Sequence, residues 1–96
     1  MSNKNKDMGT GKLVDGYYYY NVMLNINTVK ELSSKLYLLP DVDIDAIQGK
    51  YIIDAKSVMG LFSFDLTKPI ILKVHKDDIT EEQLDEFENI IRPCIV

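Results

Sequence analysis

Asp54-Ala55-Lys56-Ser57-Val58-Met59-Gly60-Leu61, running on into Phe62-Ser63-Phe64, reads as a strand end, a helix cap and a short helix. Ser57 stands where an N-cap belongs, directly before Val58, Met59, Leu61 and Phe62. An N-cap hydroxyl accepts a hydrogen bond from one of the first backbone N–H groups of the helix, which have no partner within it. Those donors and the helix dipole also favour an anion at that end. A phosphate on Ser57 would therefore meet donors, and Lys56 adds a positive charge beside it. Met59 and Phe62 next to a modifiable serine describe an adhesive patch with a charge switch at its edge. The alternative is that Ser57 only caps and the apolar residues only pack. Helical spacing turns Val58 and Leu61 toward a sheet and leaves Met59 and Phe62 on another face.

Working back from this segment, Lys50–Asp54 reads as a strand with Tyr51 and Ile53 on one face. Gln48-Gly49 turns the chain, and Val42, Ile44 and Ala46 alternate with Asp41, Asp43 and Asp45 in the other strand of a hairpin. Thr28-Val29-Lys30-Glu31 reads as a capping box, with Val29, Leu32 and Leu36 following at helical spacing up to Leu38–Pro40. Ahead of it, Tyr18, Tyr20, Val22, Leu24 and Ile26 share one parity, which is the alternation of a half-buried strand. Four consecutive tyrosines, Tyr17–Tyr20, also leave open an aromatic ligand patch. Working forward, Thr67-Lys68-Pro69 breaks the short helix and Ile70–Val74 is a fourth strand. Thr80-Glu81-Glu82-Gln83 is a second capping box, opening a helix with Leu84, Phe87, Glu88 and Ile91 on its apolar edge, stopped by Pro93. The order β-α-β-β-α-β-α contains two split β-α-β units. It predicts an α+β fold with one four-stranded antiparallel sheet and helices on one face.

Ninety-six residues allow one domain with a modest core. Residues 1–16 hold Gly9, Gly11, Gly16 and mostly polar side chains and read as a flexible leader, so the domain is expected over 17–96. A net charge of −4 without any run of Lys and Arg argues against a nucleic-acid partner. Cys94 is the only cysteine, which excludes an internal disulfide and a thiolate zinc site and fits a reducing compartment. No apolar run approaches the roughly 20 residues of a transmembrane helix, and no apolar signal core follows the polar N-terminus. A cytoplasmic location, no membrane partner and no metal or other cofactor are the simplest expectations.

Lys56-Ser57-Val58-Met59-Gly60-Leu61 resembles the Lys-Ser-Ile-Met-Gly segment of HPr-like proteins, the small phosphocarriers of the bacterial sugar phosphotransferase system. The order of elements over 17–96 is also theirs. The resemblance implies an open-faced β-sandwich with three helices over four strands. It implies that Ser57 caps the second helix and is the target of a regulatory serine kinase. It further implies that Lys56, Met59 and Phe62 belong to a surface that docks phosphotransferase-system or catabolite-control proteins.

The carrier chemistry of such proteins uses a histidine just before the first helix, with arginine two residues on and then proline. Here Leu24-Asn25-Ile26-Asn27-Thr28-Val29-Lys30 occupies that region, with Ile26, Thr28 and Val29 at the three positions. An imidazole forms the labile phosphoramidate of the carrier, and asparagine and threonine cannot replace that chemistry, so histidine phosphotransfer is not expected from this segment. His75, the sole histidine, follows the fourth strand and is the only other acceptor of that kind. A nucleophilic pair of His75 and Cys94 is disfavoured because Cys94 lies beyond Pro93 in a C-terminal tail. No Ser-His-Asp order, glycine-rich phosphate loop or metal-ligand spacing is present, and an enzyme is not expected. Three readings follow: a regulatory or interaction module switched at Ser57; a phosphocarrier with a non-standard acceptor at His75; and a ferredoxin-like small-molecule-binding or oligomeric domain whose serine motif is incidental.

Overall fold

The computed structural model of the chain describes residues 11–96. Five strands, β1 (Lys12–Val14), β2 (Tyr17–Val22), β3 (Ile44–Gln48), β4 (Tyr51–Asp54) and β5 (Ile70–His75), form one antiparallel sheet in the order β1-β2-β5-β3-β4. Three helices accompany it: α1 (Ile26–Leu36), α2 (Val58–Phe62) and α3 (Glu81–Ile91). Among the described residues the fold is α+β, as expected, but the sheet has five strands instead of four and the order begins β-β. The extra strand falls within the segment read as a leader; residues 1–10 of that segment lie outside the described residues. Asp15 and Gly16 both have positive φ, 52° and 86°, which gives the two-residue turn whose twist suits a hairpin. Asp-Gly was the signal for this hairpin, and glycine-rich polar composition masked it.

β2 and β3 each pair antiparallel with β5 and therefore run parallel to each other, with β5 between them. β3 likewise separates β4 from β5. Both β-α-β units are thus split by an antiparallel strand. The buried parity of the sheet is Tyr20 and Val22 of β2, Ile44 and Ala46 of β3, and Ile70, Leu72 and Val74 of β5. It forms a single core cluster with Val29, Leu32 and Leu36 of α1, Leu61 of α2, and Leu84, Phe87 and Ile91 of α3. The opposite parity bears no helix among the described residues.

The first helix is capped three residues earlier than expected. Asn25, not Thr28, is the N-cap: its side chain accepts from the Asn27 and Thr28 N–H groups, both at 2.9 Å. Thr28 is the return half of the box, accepting from the Asn25 N–H at 2.7 Å. Asn is as good a cap as Thr, and the exposed Ile26 hid the boundary. Asn25→Ala should therefore cost about 0.5–2 kcal/mol. Thr28→Ala, which removes only the return bond, should cost less; chemical-denaturation midpoints of the two variants test the order. The second box, Thr80 with Gln83, stands where the sequence placed it.

The C-terminus is also more structured than a tail. Arg92–Cys94 forms a 3-10 turn, the Met23 N–H donates to the Cys94 carbonyl at 2.8 Å, and Ile95 bridges to Val22. No helix among the described residues is long and apolar enough to cross a membrane.

Candidate functional site

Ser57 caps α2 as expected. It is exposed, and its Oγ accepts the Gly60 N–H at 3.1 Å. The turn before it is pinned from two sides. Ser33 Oγ, buried in α1, donates to the Lys56 carbonyl at 2.6 Å, and Asp54 Oδ1 accepts the Lys56 N–H at 2.9 Å. Gly60 has a packing role: a Cβ there would lie 2.8 Å from Ile53 Cδ1, so glycine lets α2 approach β4.

The three residues expected to accompany Ser57 have different fates. Met59 is 78 % exposed and Tyr37, beyond the C-terminus of α1, is 62 % exposed. With Ser57 and Val58 they line a surface concavity of about 350 Å³ that Ser33, Asp54 and Lys56 complete. Phe62 does not line this concavity: it is half-buried and packs against the core. Five residues of helix rotate it back over the sheet, because its position is four beyond Val58, which packs there too. Lys56 lines the concavity, but its charge is directed elsewhere. Its Nζ donates to the carbonyls of Leu39 and Val42, both at 2.7 Å, and to that of Pro40 at 3.3 Å. The ammonium thus satisfies backbone carbonyls in the loop after α1, a function that neighbourhood in sequence does not reveal.

His75 ends β5. Its Nδ1 accepts the Asp77 N–H at 3.1 Å and caps a 3-10 turn over Lys76–Asp78. The ring meets Tyr17 edge-on, with centroids 4.7 Å apart, and Lys73 Nζ lies 4.2 Å from the Tyr17 centroid. Together with Asp43, Asp45, Asp54, Ile52 and Asp78 they line a second concavity of about 400 Å³ on the helix-free face. This group is scattered over four segments of the sequence. Its signal was the parity opposite to the core residues in β2, β3 and β5, and only strand register brings the three sets together.

Cys94 is buried, and burial pushes its thiol pKa up. It borders a cavity with Thr28, Glu31, Leu32 and Lys35, apart from the concavity that His75 lines. A high-pKa thiol and a distant imidazole do not make a nucleophilic pair. Among the described residues no group of three or more His, Cys, Asp and Glu side chains could hold a metal ion. The chain matches no protein-family model and no curated protein.

Proposed function

We propose that this chain is an HPr-like interaction module that docks a protein partner through Met59 and is regulated by phosphorylation of Ser57. The observation that carries the reading is the pairing of exposed Met59 and Tyr37 in one concavity with the exposed Ser57 hydroxyl at its rim. An exposed, adaptable methionine beside an aromatic ring suits a protein contact. The resemblance in Lys56–Leu61 and the two split β-α-β units support the same reading. A phosphate on Ser57 would compete with its own N-cap bond for the first N–H groups of α2. It would also add negative charge near Asp54. Lys56 is occupied by carbonyls, so the switch works by changing the charge of the patch, with no new ion pair to that lysine.

The phosphocarrier reading is weaker. A phosphoryl group on His75 would need a free ring nitrogen and an approach clear of anions. Nδ1 already serves the 3-10 turn, which leaves only Nε2, and four aspartates line the concavity beside the ring.

Ser57→Asp should leave the melting temperature nearly unchanged, since the charge gains about 0.3–1 kcal/mol from the helix end while the cap bond is partly kept. Met59→Ala should cost little stability because the side chain is solvent-facing. Both should lose the partner that the parent retains in an affinity capture from the source cell. Identical partner sets for all three proteins would reduce the segment to a plain helix start. Acid-labile phosphate on His75 after treatment with phosphoenolpyruvate and the first phosphotransferase enzyme would favour the carrier reading instead.

A further inference from the structure

The helix-free face of the sheet carries an ordered charge pattern that α2 does not share. β5 and β3 are neighbours, and their outward residues stand side by side in three rows. Ile71 pairs with Ile47 and Lys73 with Asp45. One step beyond the paired Ile44 and Val74, Asp43 stands beside His75, and all four polar residues line the same concavity. β5 therefore presents apolar, cationic and titratable groups in turn, while β3 presents apolar, acidic and acidic groups at the same heights.

Side by side within one sheet, these four side chains do not pair with one another, although His75 Nδ1 lies 3.9 Å from Asp77 Oδ2. Lys73 Nζ rests over the Tyr17 ring, and among the described residues neither Asp43 nor Asp45 makes an ion pair with Lys73 or His75. A two-fold axis parallel to the strands and passing between β5 and β3 has a simple consequence. It lays β5 of one copy over β3 of the other and leaves each residue at its own height. Lys73 then faces Asp45 of the second copy, His75 faces Asp43, Ile71 faces Ile47, and each contact occurs twice. Such a self-matching patch is what an isologous interface requires. Two twisted sheets stacked face to face also accommodate this alignment, with strands within about 30° of each other.

We propose that this face pairs with a second copy of the same chain, β5 over β3, to form a homodimer independent of the Met59 patch. The footprint is small. Four strands about 4.8 Å apart and five residues of about 3.4 Å cover roughly 300 Å² per copy. That makes roughly 600 Å² in total, below the usual range of specific interfaces, so the dimer is weak and transient, with dissociation in the high micromolar range or above. The two Lys73–Asp45 contacts make the dimer salt-sensitive.

Sedimentation velocity of the full chain from about 1 µM to about 1 mM, at low and high salt, should show a concentration-dependent dimer that weakens with salt. Lys73→Asp and Asp45→Lys should each be monomeric over that range, because every copy then places like charges in contact twice. Mixing the two variants should restore a dimer, since the heterodimer regains both Asp–Lys contacts. Restoration on mixing is specific to contact between copies; a purely intrachain role of the pair would not produce it. Circular dichroism of each variant checks that the sheet is retained. A parent that stays monomeric throughout overturns the proposal, whether or not another chain occupies the face. So does a dimer that survives both single substitutions, or two folded variants that fail to associate when mixed.

Discussion

Lys56→Ala should destabilise the fold by about 2–4 kcal/mol, far more than a surface lysine ordinarily contributes. Lys56 is half-buried, and its ammonium donates to Leu39 and Val42 carbonyls at 2.7 Å, with Pro40 at 3.3 Å. Hydrogen bonds from a charged donor are worth about 1.5–3 kcal/mol each before offsets. Removing the donor also leaves partly buried carbonyls beside Leu39 and Val42, which are almost fully buried. Arginine cannot substitute faithfully, because a planar fork does not reproduce three bonds converging on one nitrogen. Lys56→Arg should therefore recover only part of the loss. Urea denaturation at constant m-value measures both variants. A Lys56→Ala midpoint equal to the parent's would mean that the ammonium spends its time in solvent, available to a phosphate on Ser57 after all.

Tyr20→Phe should cost about 1.5–3 kcal/mol. The Tyr20 hydroxyl, on a side chain that is 2 % exposed, donates to Glu88 Oε2 at 2.7 Å, and Glu88 is itself buried. Losing the phenol hydroxyl leaves a buried carboxyl group without its donor, while the ring still meets Phe87 edge-on at 5.2 Å. Replacing both partners, as Tyr20→Phe with Glu88→Leu, should recover much of the loss, because neither polar group then remains unmatched. The same pair sets an alkaline limit. Burial, followed by the hydrogen bond to Glu88, raises the Tyr20 pKa well above its ordinary value. The folded state therefore keeps this proton when the unfolded chain releases it near pH 10. This contribution to stability is complete below about pH 10 and declines above it, by about 1.4 kcal/mol per pH unit for one proton. Tyr20→Phe should flatten that part of the profile in melts between about pH 9 and 11. A parent and variant with equal stability and equal alkaline slopes would show that the hydroxyl is not held in the core.

Much of the chain's local organisation is legible in its residues. Alternation in Tyr18–Val22 and Ile70–Val74, the caps at Ser57 and Thr80, and the stop ahead of Pro93 are properties of short windows, whereas the short helix ends at Phe62, well before the break expected at Thr67–Pro69. Each depends on period, hydroxyl placement or a missing N–H, none of which needs a distant partner. Even the missed β1 was local, since Asp15-Gly16 needs only two residues that tolerate positive φ. Thr28 with Glu31 fits the capping-box signature in sequence, and only backbone geometry shows that Asn25 is the residue outside the helix and Thr28 its partner.

Tertiary structure decided the rest. Whether Lys56 points at a phosphate or at the Leu39–Val42 carbonyls depends on where the loop after α1 returns, fourteen to seventeen residues away in the chain. Phe62 and Met59 are equally apolar in sequence, and only the docking of α2 on β4 through Gly60 turned one inward and left the other in solvent. Glu88 sits on an apolar helix edge as an apparent mismatch until Tyr20, 68 residues earlier, supplies its donor. The rows Lys73–Asp45 and His75–Asp43 exist only because β5 lies beside β3, a register that hydrophobic alternation narrows but does not determine. Short-range signals specified the elements of this protein; the partners of its charged side chains were assigned by contacts between segments far apart in the chain.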